Sequence, residues 1–291
     1  MKLVKLALAP FSVSPPPHFD AFVTRIDRLA AQAALAGAEL LALPEYFSMV
    51  LAGAHIKTPD IEAELADVVD QAEALVQAMM AIASRHKIFL LGGTVPMRVG
   101  AEIHNRAPFI GPSGQLEFQD KQAMTRFEAE RWGVRGGSGP KVFDTPLGRI
   151  GVSICYDAEF PLHVRAQVKA GAKLILVPSC TDNVAGFNRV RFCARARAIE
   201  NQCYVAVIPL VGRAAWSGAI DENRGHAALF TPCDQFFPPD GVQAAGEMDE
   251  SELLFTSVDF TAIDNVRREG GVLNHRDWHA DVAAAPIVQL A

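Results

Sequence analysis

The feature that most constrains this chain is how its short apolar runs end. The mainly apolar run Ile150 to Ile154 stops on Cys155, and Tyr156, Asp157, Ala158, Glu159, Phe160 and Pro161 follow at once. Such a run is too short for a buried helix and reads as a buried strand. Pro161 is suited to open a helix, because its missing N–H falls where a helix has no partner for one. Between strand and helix lies a sharp turn that presents a thiol at the carboxyl end of the strand. A cysteine alone says little, since free cysteines are often small core hydrophobes.

Two other segments follow the same rule. Leu40 to Leu43 is apolar, and Pro44-Glu45 comes directly after it. Gln115 to Gln119 alternates and leads to Lys121. A thiol, a carboxylate and an ammonium group are thus each expected just beyond a strand. In α/β sheets ligands bind outside the carboxyl ends of strands, so the three can converge.

These segments carry a resemblance. LPEYF around Glu45, DK followed by MTRFE after Asp120, and GVSICYDAEFP from Gly151 are similar to the three signature segments of the nitrilase superfamily of carbon–nitrogen hydrolases. The later segments VPSCTD, RARAIENQCYV and FTPCDQFFPPDG agree, so the resemblance covers nearly the whole chain. It implies a four-layer α-β-β-α sandwich with two mixed sheets in an α/β chain, and a homodimer or higher homo-oligomer. It also implies that Cys155 is the nucleophile, Glu45 the acid–base and Lys121 the oxyanion holder. A second glutamate on the loop after the lysine is expected to orient lysine and substrate. Glu128 and Glu130 both fit that place, and the TRFE pattern favours Glu128. One departure is Ala227, where the family often has serine.

The chemistry is consistent with those roles. Amide hydrolysis needs a nucleophile, a proton shuttle and a holder for the tetrahedral oxyanion. A free thiol has a pKa near about 8.5, which a nearby cation lowers, and Lys121 would supply that cation. The backbone N–H of Tyr156 would share the oxyanion with it. Glu45 would take the thiol proton, pass it to the leaving amine and then activate water against the thioester. Such chemistry calls for no metal and no organic cofactor. Trp132 either walls the pocket or pins its loop, and Ser179 and Thr181 are candidates to line it. His104, His163 and His226 read as structural, as do Cys180, Cys193, Cys203 and Cys233.

The expected reaction is hydrolysis of a small linear amide or N-carbamoyl compound. Nitrile hydrolysis fits less well, because family nitrilases usually place Trp-Glu after the nucleophile, where this chain has Tyr156-Asp157. Acyl transfer to an amine could use the same three groups. A catalytically silent binding protein on the same fold would be expected to lose one of them.

The chain's 291 residues are half hydrophobic, enough for a sizeable core, and no linker or repeat divides them. One domain over 1–291 is expected. Net charge is −6 with both signs dispersed. No basic stripe suggests nucleic acid, and no stretch approaches a membrane span. The five cysteines are odd in number and lack zinc spacing, which suits reduced thiols in the cytoplasm. Near the start, Lys5 interrupts the run LVKLALA, so a first core strand is expected there rather than a signal peptide.

Helices are expected over Phe19 to Ala36, Ile61 to His86, Leu162 to Ala170, Phe187 to Glu200 and Ala262 to Arg268, with an irregular end beyond. Strands are expected at Lys2 to Ala9, Glu39 to Leu43, Ile88 to Leu91, Leu174 to Val177, Cys203 to Ile208, His226 to Phe230 and Leu253 to Val258. Hairpins join His104 to Ile110 with Gln115 to Gln119, and Lys141 to Phe143 with Arg149 to Ile154. Ala123 to Pro140 and Thr181 to Phe187 are expected to be loops that shape the site.

Overall fold

The computed structural model describes residues 3–279. Along the chain the strands are β1 (Leu3–Leu8), β2 (Phe11–Ser12), β3 (Leu40–Ala42), β4 (Phe89–Leu91), β5 (Val95–Val99), β6 (Glu102–Ile110), β7 (Leu116–Asp120), β8 (Val142–Thr145), β9 (Gly148–Val152), β10 (Leu174–Ser179), β11 (Tyr204–Arg213), β12 (Glu222–Asn223), β13 (Ala228–Phe230), β14 (Val242–Ala245) and β15 (Leu254–Asp259). The α-helices are α1 (Phe19–Leu35), α2 (Ile61–His86), α3 (Pro161–Lys169), α4 (Val184–Asn201) and α5 (Phe260–Glu269).

The first sheet has the order β15-β1-β3-β4-β6-β5, with β7 also paired to β6. The second has the order β14-β13-β11-β10-β9-β8, with β2 and β12 paired to β11. Each is mixed. β1, β3 and β4 are parallel, as are β9, β10 and β11, and antiparallel strands flank both sets.

The side-chain period of two sorts the first sheet's residues into layers. Leu6, Leu8, Leu40 and Ala42 share a cluster with Ile150, Val152 and Leu174 of the second sheet. Their neighbours Ala7, Ala9, Leu41 and Leu43 pack instead with Phe22 and Ile26 of α1 and Leu75 and Met79 of α2. Both faces are therefore buried, which is why these strands read as continuous apolar runs rather than alternating ones. With α3 and α4 packed on the second sheet, the architecture is an α-β-β-α sandwich.

The helices obey local rules. In α1, Phe22, Ile26, Ala30 and Ala33 recur on one face and are buried. Asp60 caps α2 by accepting from the N–H groups of Glu62 and Ala63, and Lys87 closes the helix in the left-handed region. Such a cap contributes about 1 kcal/mol. Among the described residues no helix is long and apolar enough to cross a membrane.

Several expectations need correcting. Strands β5 and β14 were not anticipated. Both lie at sheet edges, and Pro96 disguises β5, since proline is tolerated only where a strand has a free side. The segment Ala123 to Pro140 is not wholly irregular: Phe127–Trp132 forms one wide turn of π-helix. Helix α4 begins at Val184, so part of the expected loop Thr181 to Phe187 is helical. Of the expected irregular end, residues 280–291 lie outside the described residues.

Candidate active site

Glu45 comes three residues after β3. Its turn is tight: Tyr46 has φ 53°, and its N–H donates to Thr94 Oγ1 at 2.8 Å. The facing backbone must come very close, since a Cβ on Gly93 would lie 2.2 Å from the Pro44 carbonyl oxygen. Only glycine fits there. The following segment is locked by Phe47, which stacks on Phe22 at 5.6 Å and meets Phe11 edge-on at 5.5 Å. Such left-handed non-glycine residues cluster at functional sites, where surrounding contacts hold them in place.

Lys121 directly follows β7, and its N–H donates to the Asn105 carbonyl at 2.9 Å. Its ammonium donates to Glu45 Oε1 at 2.8 Å and to Glu128 Oε1 and Oε2 at 2.8 and 2.7 Å. All three side chains are almost fully buried. Glu128 also accepts from Tyr46 Oη at 2.7 Å and from the N–H and hydroxyl of Thr125, each at 2.8 Å. Asn105 Nδ2 donates to Glu45 Oε1 at 3.0 Å and to Glu128 Oε1 at 3.4 Å. Glu130, by contrast, is exposed and pairs with Arg126 at 2.9 Å. Of the two glutamates, Glu128 is the one that meets the lysine.

Cys155 comes three residues after β9, with φ 47°. A 3-10 turn over Cys155–Glu159 follows, and Pro161 takes the first position of α3. The thiol Sγ lies 3.7 Å from the Cys180 carbonyl oxygen. The Cys180 N–H donates to Glu45 Oε2 at 3.0 Å. One peptide residue thus bridges the sulfur and the carboxylate. Asp157, two residues past the thiol, accepts from the N–H of Ala123 at 2.7 Å and of Gln122 at 3.2 Å. It joins the turn carrying Cys155 to the backbone just beyond Lys121.

Glu45, Lys121, Glu128, Trp132, Cys155, Tyr156 and Thr181 all line one cavity of about 380 Å3. Trp132 fills both roles left open for it. It walls this cavity, and its Nε1–H donates to the Ile61 carbonyl at 3.0 Å. Thr181 lines the cavity but donates its hydroxyl to the Arg224 carbonyl. Ser179 is fully buried, donates to the Ile208 carbonyl and is not among the lining residues. Cys180, expected as packing, lines the cavity too, and Cys233 is exposed. Sequence reasoning passed over Tyr46, Asn105, Thr125, Asp157 and Cys180. Asn105 carried no local signal, because it stands between His104 and Arg106 in β6.

Burial dominates the electrostatics. It pushes Glu45 up to about 7, aided by the Glu128 charge and opposed by Lys121. Glu128 stays below the usual carboxylate range: burial would raise it, but Lys121 and the donors of Thr125 and Tyr46 outweigh that. Burial works against the Lys121 charge, yet Glu128 and Glu45 hold its pKa above the ordinary value. Lys121 does act to lower the thiol pKa, as expected, but it is outweighed. Burial, then the Glu45 charge, push Cys155 above its ordinary value, with Lys121 only opposing. The resting pair is a neutral thiol beside a carboxylate poised near neutrality. That pairing suits proton transfer during attack better than a standing thiolate.

The sequence model of the carbon–nitrogen hydrolase family matches residues 7–268. The chain belongs to the carbon–nitrogen hydrolase family. Among curated relatives of this carbon–nitrogen hydrolase is the probable hydrolase YhcX of Bacillus subtilis, 26% identical over 280 residues, which cover 96% of this chain and 54% of that one. This chain thus spans about half the length of that relative. The omega-amidase NIT2-A of Xenopus laevis is 28% identical, over 92% of this chain and 93% of its own. In structure, the Xanthomonas campestris protein XC1258 matches with a TM-score of 0.79 at 21% identity, over 98% of this chain and 100% of that one. The last likeness concerns the fold.

Proposed function

We propose that this carbon–nitrogen hydrolase cleaves a small linear amide or N-carbamoyl compound through a thioester on Cys155. The observation that carries the reading is the Lys121 ammonium 2.8 Å from Glu45 in the cavity that also holds the Cys155 thiol. The omega-amidase name of one relative supports amides as the substrate class.

The steps follow from the groups. The thiol proton passes to Glu45 as sulfur attacks the carbonyl carbon. The oxygen takes the negative charge, which the Lys121 ammonium and the Tyr156 N–H stabilise. Protonated Glu45 then gives its proton to the amine nitrogen, the C–N bond breaks and the amine leaves. Water enters, loses a proton to Glu45 and attacks the thioester. The C–S bond breaks, Glu45 returns its proton to the sulfur, and the carboxylic acid product leaves the restored thiol. Glu128 keeps the lysine charged and in place throughout. The aromatic group Tyr46, Phe127 and Trp132, with ring centroids 4.9–5.1 Å apart, supplies a stiff apolar wall.

A panel of linear amides, ureido compounds and nitriles tests this by released ammonia together with intact mass. The expected result is ammonia from an amide or ureido compound, with an acyl mass on the protein that Cys155→Ala abolishes. Ammonia release that survives in Cys155→Ala would overturn the assignment.

A further inference from the structure

Asn105 takes no part in the steps above, yet it touches both glutamates. It is fully buried on β6. Its Nδ2 donates to Glu45 Oε1 at 3.0 Å and to Glu128 Oε1 at 3.4 Å, while its own carbonyl accepts the Lys121 N–H. Its Oδ1 is buried without a partner among the described residues. Leaving a buried acceptor unused is unfavourable. The amide cannot recover by flipping, because that would set Oδ1 against two carboxylate oxygens. The donor is therefore held toward the glutamates at the acceptor's expense.

The lone pairs of Glu45 can be counted. A carboxylate offers about two acceptor sites per oxygen. On Oε1 both are taken, one by Lys121 Nζ and one by Asn105 Nδ2. On Oε2 the Cys180 N–H takes one and leaves one. The same Cys180 residue turns its carbonyl to the thiol, and the thiol hydrogen-bonds the Glu45 carboxylate, for which the open site on Oε2 is the one left. We infer that Asn105 is a positioning residue that closes Oε1 and so makes Oε2 the oxygen that takes the Cys155 proton. Without it, a proton can rest on Oε1, facing away from the sulfur. The inference rests on the proposed role of Glu45 as base.

The groups facing Glu45 are Lys121 from the end of β7, Glu128 from the π-helical turn, Tyr46 beside it, and Cys155 and Cys180 from the second sheet. Asn105 adds a neutral donor to that set. A donor on a carboxylate favours its charged form, so removing it raises the Glu45 pKa. A hydrogen bond of ordinary strength corresponds to a shift of about one pH unit.

The test needs no known substrate. Iodoacetamide alkylates Cys155, and its rate is followed by peptide mass from about pH 5 to about pH 9, a span that brackets the Glu45 value. In the native protein the Cys155 rate should rise with a midpoint near the Glu45 value of about 7. In Asn105→Leu that midpoint should move up by about one unit, while alkylation of exposed Cys233 keeps its profile. Asn105→Asp, which adds a charge, should move it up further, and it serves alone if the leucine variant does not fold. An unmoved midpoint in a folded variant overturns the inference. Because the readout is alkylation, it stands apart from the amide panel. A shifted midpoint without ammonia release sinks only the amidase reading, and ammonia release without a shift sinks only this one.

Discussion

The two sheets supply opposite halves of one cavity. The first sheet brings Glu45, Lys121, Asn105 and, through the turn after β7, Glu128. These groups are over-determined: Glu128 alone accepts from Lys121, Tyr46, Thr125 and Asn105. The second sheet brings Cys155, whose thiol lies 3.7 Å from a carbonyl oxygen and hydrogen-bonds the Glu45 carboxylate. Its position comes from the backbone instead, from the φ of 47° and the helix that follows. The contrast separates two tasks. Groups that stabilise developing charge work best when pre-organised, because nothing then has to reorient during reaction. In the proposed mechanism the sulfur must travel toward carbon, and the chain aims it while few contacts hold the thiol.

The largest expected effect comes from breaking the link between the halves. In Glu45→Gln the thiol loses its base, and turnover should fall by roughly 10²–10⁴. The same variant has a stability signature. The folded Glu45 value of about 7 lies above its ordinary 4.5. Between those values the folded state holds more protons than the unfolded one, so stability declines as pH rises through that window. Burial likewise raises Asp157, to about 6, giving a slope of the same sign. Glu45→Gln should therefore flatten, without abolishing, the loss of stability between about pH 5 and about pH 8, read by urea unfolding. An unchanged slope would mean that Glu45 is not the buried proton holder.

A smaller effect is expected where the halves are tied mechanically. Asp157→Ala removes the acceptor for the N–H groups of Gln122 and Ala123, which follow Lys121 directly. Misplacement of a reacting group by about 1 Å can cost on the order of 10²-fold. Turnover should drop by about that much, with stability against unfolding lowered by roughly 1–3 kcal/mol for the unpaired donors. Steady-state rates that match the parent would show that the lysine and sulfur hold their spacing without this bridge.

The same contrast explains what could be read from the sequence. The central strands were legible because burial on both faces leaves unbroken apolar runs, as at Leu40 to Leu43 and Leu174 to Val177, whereas the sandwich itself followed from the family resemblance. Glu45 and Cys155 stood out because each follows such a run, and Lys121 because it follows the alternating strand Gln115 to Gln119. What the sequence hid was the support. Asn105 acts within the first sheet on a residue 60 positions away, and Asp157 acts across sheets on residues 34 or 35 positions away, so no local spacing marks them. Thiol polarity was hidden for a related reason. The expected cation was correct, but its effect on sulfur depends on burial and on Glu45, which only the assembled cavity sets. Edge strands β5 and β14 escaped because half-exposed strands carry a weak apolar signal.

The finest test compares two carboxylates two residues apart. Glu128 and Glu130 share one helical turn, yet one side chain is 3% exposed and the other 55%. Glu128→Gln removes a charge that keeps Lys121 protonated, and the new Nε2–H group must face a donor, either Lys121 or Thr125. It should lower turnover by roughly 10²-fold or more, as loss of one pre-organised electrostatic partner does. Glu130→Gln breaks only a solvent-exposed pair with Arg126, the kind that usually contributes little. Its turnover and thermal midpoint should match the parent within error. If Glu130→Gln were the damaging change, the π-helical turn would have to be rotated so that the outer carboxylate met the lysine. The division into a rigid ionic half and a freely aimed sulfur would then lose its anchor.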